Sequence, residues 1–177
     1  AGQEPDGRQR WQLRCRATCP GGTGRHGPKG YGYTLHGCNL RPLSRGRLAL
    51  NSATAADHAR IEANYLSDAE GFDMRMMVEC VKISRNIFAQ PAFAPYRGAE
   101  IFPGASVQDD ASIERFIRAK AETVYHPVGS CRMGDADDEG AVVDPQLRVR
   151  GIAGLRVVDA SVMPKLIGGN TNAPTIM

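Results

Sequence analysis

The chain has 177 residues, 42% hydrophobic and 6% aromatic, enough for one domain with a modest apolar core, which excludes a wholly disordered tail. No apolar run approaches the roughly 18 residues of a membrane span, and the N-terminus lacks the charged, apolar and small-residue succession of a secretory signal, so a soluble chain is expected. The net charge of +3 hides an asymmetry: residues 1–30 carry six Lys or Arg against two acids, and the remainder carries 16 against 17, a nearly neutral body.

Five cysteines, Cys15, Cys19, Cys38, Cys80 and Cys131, are odd in number and scattered. They predict no disulfide framework and a reducing compartment, the cytoplasm. Residues 1–29 are rich in Gly and Arg, show neither apolar period and leave Trp11 outside any pattern, so they are expected to be a basic tail, disordered or foreign to the fold. Without interleaved aromatics or a recognisable module, that tail is not expected to bind nucleic acid. Gly22-Thr23-Gly24-Arg25-His26-Gly27 matches a dinucleotide fingerprint letter for letter. It is rejected because Cys19-Pro20 and Pro28 deny it the flanking strand and helix, and Gly46 or its basic neighbours occupy the place of the ribose-binding acid. Cys15, Cys19, His26, His36 and Cys38 follow no common zinc spacing, so no metal is expected.

From Gly30 the texture changes. Arg47-Leu48-Ala49-Leu50-Asn51 follows a breaker-rich run, and its Leu48/Leu50 alternation predicts a half-buried strand. Asp73 opens a segment with Met76, Cys80, Ile83 and Ile87 at helical spacing and a second row at Met77, Val81 and Phe88. That pattern predicts a core-facing helix whose methionines pack and whose Cys80 is a buried thiol. After a Pro-rich loop over residues 91–103, a second helix is predicted from about Asp109, with Asp109 and Asp110 at its positive end and Ile113, Phe116 and Ile117 as its apolar face. Tyr125-His126-Pro127 is read as breaking that helix, and the acidic run 134–140 as a surface turn. Residues 147–149 and 155–158 are read as short strands joined at Gly151 and Gly154. The chain closes on a backbone-exposing loop, residues 168–175, then Ile176 and Met177, an ending that reads as truncated.

Three segments could carry chemistry. In Tyr125-His126-Pro127-Val128-Gly129-Ser130-Cys131-Arg132-Met133-Gly134, a proline holds a histidine beside two glycines that allow close backbone approach, which suits a positioned acid/base. A core histidine bonded to a backbone carbonyl is the structural alternative. Cys131 has only Arg132 beside it and is read as a packed thiol. Leu155-Arg156-Val157-Val158-Asp159-Ala160-Ser161 delivers Asp-Ala-Ser at a strand end, where α/β sheets bind ligands and a small Ala160 leaves room for a ribityl or phosphate group; an ordinary Asp/Ser turn is the alternative. Asn170-Thr171-Asn172-Ala173-Pro174-Thr175 offers carboxamides and N–H groups to a developing negative charge, or is simply an Asn-rich turn.

Taken in order, these segments resemble the C-terminal region of the glucose–methanol–choline (GMC) oxidoreductases, especially the bacterial choline dehydrogenase and aliphatic alcohol dehydrogenase branch. Val143-Asp144-Pro145-Gln146-Leu147-Arg148-Val149-Arg150-Gly151, Asn39-Leu40-Arg41-Pro42-Leu43-Ser44-Arg45-Gly46 and Asn64-Tyr65-Leu66 share the resemblance, which covers residues 31–177. It implies FAD-dependent oxidation of an alcohol, with His126 withdrawing the hydroxyl proton and Asn170 hydrogen-bonding the forming alkoxide. It implies that Asp159 and Ala160 lie along the ribityl and phosphate side of FAD. Asn172, Ala173, Pro174 and Thr175 would lie at its pyrimidine end.

The implied architecture is mixed α+β: an antiparallel substrate-domain sheet with helices on one face over residues 30–146, and a segment, 147–177, returning to an FAD-binding α/β domain whose N-terminal part is missing. The chain alone is therefore expected to hold flavin weakly or not at all, and to be inactive without that half. A non-catalytic fragment serving only as an interaction or structural piece is the rival expectation. The implied partners are a small-molecule alcohol and an electron acceptor, quinone or oxygen. Peripheral association with the inner membrane and self-association of the fragment are both compatible with it.

Overall fold

A computed structural model describes the backbone of residues 11–18 and 32–177 and the side chains of residues 32–177. Strand β1 (Trp11–Thr18) pairs antiparallel with β2 (Gly32–Asn39), Trp11 opposite Asn39 and Thr18 opposite Gly32. This corrects the expectation of a patternless tail: Trp11, Leu13, Cys15 and Ala17 alternate with Gln12, Arg14, Arg16 and Thr18, the period of two a strand requires. Arginine-rich composition masked that alternation. The rest of the segment, with Cys19, the glycine run at 22–27 and His26, lies outside the described residues, as does the Cys15 side chain.

The chain divides into two compact units, one of residues up to 39 with 72–122, the other of 40–71 with 123–177. In the first, helix α1 (Phe72–Ala89) packs on β2 through an aromatic trio. Tyr33 and Phe88 have ring centroids 4.9 Å apart, and Phe93 lies 5.4 Å from Phe88. Asp73 in the first turn is buried and accepts a 2.9 Å hydrogen bond from Asn39 Nδ2, which ties the start of the helix to the end of β2. Burial without such a donor would leave the carboxylate strongly disfavoured. Cys80 is buried as expected, and burial pushes its thiol up to about 11. The inward face is shifted from the first predicted row: Met74 and Val78 are buried while Ile83 is 36% exposed. Met74 and Val78 continue the row of Met77, Val81 and Phe88, so that second row faces inward.

Helix α2 (Asp110–Lys120) starts where expected. Its N-cap Asp109 accepts the Ser112 N–H at 2.9 Å, and Ile113 and Ile117 are buried. Ser112, through its backbone N–H and then its hydroxyl, holds the Asp109 carboxyl below the ordinary aspartate range. Arg85 fastens the Pro-rich loop to α1 by forking onto Glu100 and donating to the carbonyls of Gly104 and Val107. The helix ends at Lys120, and Ala121 takes an extended conformation, so Tyr125-His126-Pro127 follows the helix rather than breaking it.

In the second unit β3 (Arg47–Ala49) pairs antiparallel with β4 (Arg60–Glu62). The strand is where its alternation placed it, but Leu48 and Leu50 are 51% and 84% exposed: the hairpin lies on the surface of its unit. A Cβ on Gly46 would lie 2.6 Å from the Glu62 carbonyl oxygen, so the hairpin can close only on a glycine. The strands expected at 147–149 and 155–158 reduce to single bridges, Arg148 opposite Arg156 and Val143 opposite Val149. Positive φ at Leu147, Gly151 and Gly154 turns the chain out of register after each pair.

Fully buried Val143 lies at the centre of these bridges. The acidic run is a turn as expected, with Arg132 gripping both oxygens of Asp138, and the Arg150 guanidinium donates to the carbonyls of Gly134, Asp135 and Ala136. The terminal loop contains one short helix, α3 (Asn172–Ile176), which Pro174 tolerates because a first-turn N–H has no helical partner anyway. Antiparallel pairing with helices gives the mixed α+β character expected. Among the described residues no helix is long and apolar enough to cross a membrane.

Candidate active site

His126 stands on a bend made by two left-handed positions, Tyr125 (φ 62°) and Gly129 (φ 87°). At Gly129 a Cβ would approach the Met163 carbonyl oxygen to 3.3 Å, so the glycine serves both the φ and the close approach. Main-chain bonds then join this bend to the Asp-Ala-Ser segment: Cys131 N–H donates to Ser161 O at 3.0 Å and Met133 N–H to Val162 O at 2.9 Å. Asp159 caps the short turn Ala160–Val162 by accepting the Ser161 N–H at 2.8 Å. The Ser161 hydroxyl, and after it that N–H, hold the Asp159 carboxyl below the ordinary range.

The third segment arrives through Thr171, which is 7% exposed and places Oγ1 3.0 Å from His126 Nδ1. Its own carbonyl accepts from the Thr175 N–H at 3.1 Å and the Thr175 hydroxyl at 2.6 Å. The three segments line an open cleft of about 410 Å³ at the surface, with His126, Tyr125 and Pro127 contributing from one and Ala160, Thr171, Asn172 and Thr175 from the others. That volume lies within the range of small-molecule sites. Its lining is uncharged apart from the titratable imidazole: a phenol, two hydroxyls, a carboxamide and a methyl group. Such donors suit an alcohol and the neutral edge of an aromatic ring. The cleft has no Lys or Arg to neutralise a pyrophosphate, so its lining suits a neutral ring edge better than the charged middle of a dinucleotide.

Of the residues singled out from sequence, His126, Ala160, Asn172 and Thr175 line this cleft; Asp159, Asn170, Ala173 and Pro174 do not. Asn170 is exposed, and the Asp159 carboxylate faces its own turn. Thr171 and Tyr125 line it without having been assigned a role. No local sequence signal marks Thr171, whose burial comes from the fold around it. A second hollow, about 480 Å³, lies beside residues 148–156, but its arginines are engaged, Arg148 on Asp144 at 2.7 Å and Arg156 on the Gln146 carbonyl at 3.2 Å. Among the described residues no group of three or more His, Cys, Asp or Glu could hold a metal ion.

The chain belongs to the GMC oxidoreductase family, whose C-terminal family model matches residues 42–177. It is 55% identical over 155 residues to an alcohol dehydrogenase [acceptor] of Pseudomonas putida, covering 86% of this chain and 27% of that protein. It is 51% identical over 148 residues to the mitochondrial choline dehydrogenase of Homo sapiens, covering 82% of this chain and 24% of that protein. A formate oxidase of Aspergillus oryzae RIB40, in a structure concerned with FAD modification, superposes with a TM-score of 0.82 at 27% identity over 97% of this chain and 30% of its own. The chain thus spans about a quarter of the length of the curated relatives it matches.

Proposed function

We propose that this chain supplies the proton-accepting side of a site that oxidises the CH–OH group of an alcohol, choline or an aliphatic alcohol, within a GMC oxidoreductase. The observation that carries the proposal is the His126 imidazole, anchored at 3.0 Å by a buried Thr171 in a cleft of otherwise neutral side chains. An alcohol is a poor hydride donor until its O–H bond is weakened. His126 takes the hydroxyl proton as the carbinol C–H bond breaks, and a positioned base of this kind contributes roughly 10² to 10⁴ in rate. Bound FAD would supply the hydride acceptor. Asn170, just outside the cleft lining, is assigned to reach the forming alkoxide, Asn172 to donate to the ring edge, Thr175 to brace that edge through its two bonds to the Thr171 carbonyl, and Ala160 to keep the wall low enough for a planar ring. Asp159 would hold the turn beside the ribityl chain, with Ala173 and Pro174 shaping the backbone at the pyrimidine end. On this reading residues 30–146 belong to a substrate domain and residues 147–177 to the flavin-binding one.

The test is a chimera in which this chain replaces the matched 155 residues of the Pseudomonas putida relative. The expected result is alcohol-dependent reduction of a dye; a chimera that binds flavin fully and reduces no dye with choline or any aliphatic alcohol would overturn the proposal. A second expectation concerns the chain by itself. Lacking charged groups in the cleft, it should retain little FAD after gel filtration, and tight stoichiometric flavin absorption would contradict that.

A further inference from the structure

We infer that Thr171 is a positioning residue: its hydroxyl accepts a hydrogen bond from Nδ1–H of His126 and so holds the ring in the tautomer whose Nε2 lone pair is free to take a proton. The inference rests on the alcohol-oxidation reading for its purpose, but its geometry stands apart from that reading. Oγ1 and Nδ1 are 3.0 Å apart, and Thr171 is 7% exposed, so little water competes for the threonine hydroxyl. The threonine cannot drift, because Thr175 donates two hydrogen bonds to its carbonyl and the β-branched side chain has few rotamers. Among the described residues His126 Nε2 has no hydrogen-bond partner.

A neutral imidazole has one donor and one acceptor, while its protonated form has two donors. If the hydroxyl donated to Nδ1, the hydrogen would sit on Nε2, the ring could accept no proton there, and protonation at Nδ1 would require the hydroxyl to turn from donor to acceptor. If Nδ1–H donates to Oγ1, the same bond survives before and after Nε2 takes a proton. The second arrangement lets the ring gain and release a proton at Nε2 with no rearrangement of its anchor. A single hydrogen bond of ordinary net strength shifts a tautomer ratio by up to about tenfold, enough to reverse a modest intrinsic preference.

The experiment is nitrogen-15 NMR of the full chain labelled at histidine, with His126 identified among the four histidines by the signal lost in His126→Gln. The expected spectrum has hydrogen predominantly on Nδ1 of His126. Thr171→Val, which keeps the shape and removes the hydroxyl, should move the ratio toward Nε2–H by up to about tenfold. Thr171→Ser should restore it, which a merely space-filling role would not do. Hydrogen predominantly on Nε2 in the unsubstituted chain overturns the inference without any variant having to fold, and so does an unchanged ratio in Thr171→Val. Either result leaves the alcohol-oxidation reading to be decided by the chimera, and an inactive chimera leaves the tautomer measurement intact.

Discussion

In the unit formed by residues up to 39 and 72–122, the helices bury Met74, Val78, Cys80, Ile113 and Ile117, and the order is carried by side chains repeating every third or fourth position. The unit of residues 40–71 and 123–177 buries Leu40 and smaller groups, Ala141, Val143 and Val162, and is fastened chiefly by main-chain bonds between loops, with the Arg150 guanidinium on three carbonyl oxygens. The site lies in the second unit. A loop framework held by directional bonds can place a histidine, a small residue and a threonine at one cleft from three separate segments, which a single helix face cannot do.

The contrast can be broken from either side. Ile113→Ala should be the most damaging change, destabilising by roughly 2–5 kcal/mol in denaturant titration with loss of helical circular dichroism. Amide protection at Gly134 and Val142 should survive it better than protection within α1. Arg150→Met should show the converse: about 1.5–3 kcal/mol lost as three carbonyls lose a charged donor, with amide protection falling first at Gly134 and Val142. Equal loss across both units in either variant would erase the distinction. Gly46→Ala comes next, roughly 1–3 kcal/mol, because a Cβ 2.6 Å from the Glu62 carbonyl must push β3 and β4 apart; hydrogen exchange at residues 47–49 and 60–62 reads it.

The smallest effect is electrostatic. Asp138, Asp144 and Asp159 in the second unit all have carboxyls held below the ordinary range, by Arg132, by the Arg148 N–H and by the Ser161 hydroxyl respectively. A depressed carboxyl contributes stability that is present above its unfolded value, roughly pH 4, and is lost as pH falls through the lower folded value. Acidification below about pH 4 should therefore loosen the turns at 134–148 and 159–162 before the helices, which have Asp109 alone in this class. Exchange rates that rise first in α2 would contradict this order.

The same difference explains what could be read from the sequence. Helices α1 and α2 and strand β3 announce themselves by period, and Asp109 by its place before Ser112. Strand β1 also carries a period of two, hidden among arginines. The bridges at 143, 148 and 149 carry no period, since each pairs only one residue before a left-handed turn, and Leu147 with φ 64° is a position no propensity suggests. At the site, His126, Ala160, Asn172 and Thr175 were legible as chemistry-bearing types in short motifs. Thr171 was not, because its burial depends on Thr175 and on a bend more than forty residues earlier. The family resemblance was legible because the motifs recur in order, and the match over residues 42–177 bears it out.

The most direct test of the account is single-turnover flavin reduction by alcohol in the chimera carrying His126→Ala. With flavin content unchanged, the rate should fall by roughly 10² to 10⁴ relative to the unsubstituted chimera. Reduction at the unsubstituted rate would show that the imidazole in this cleft does not take the alcohol proton.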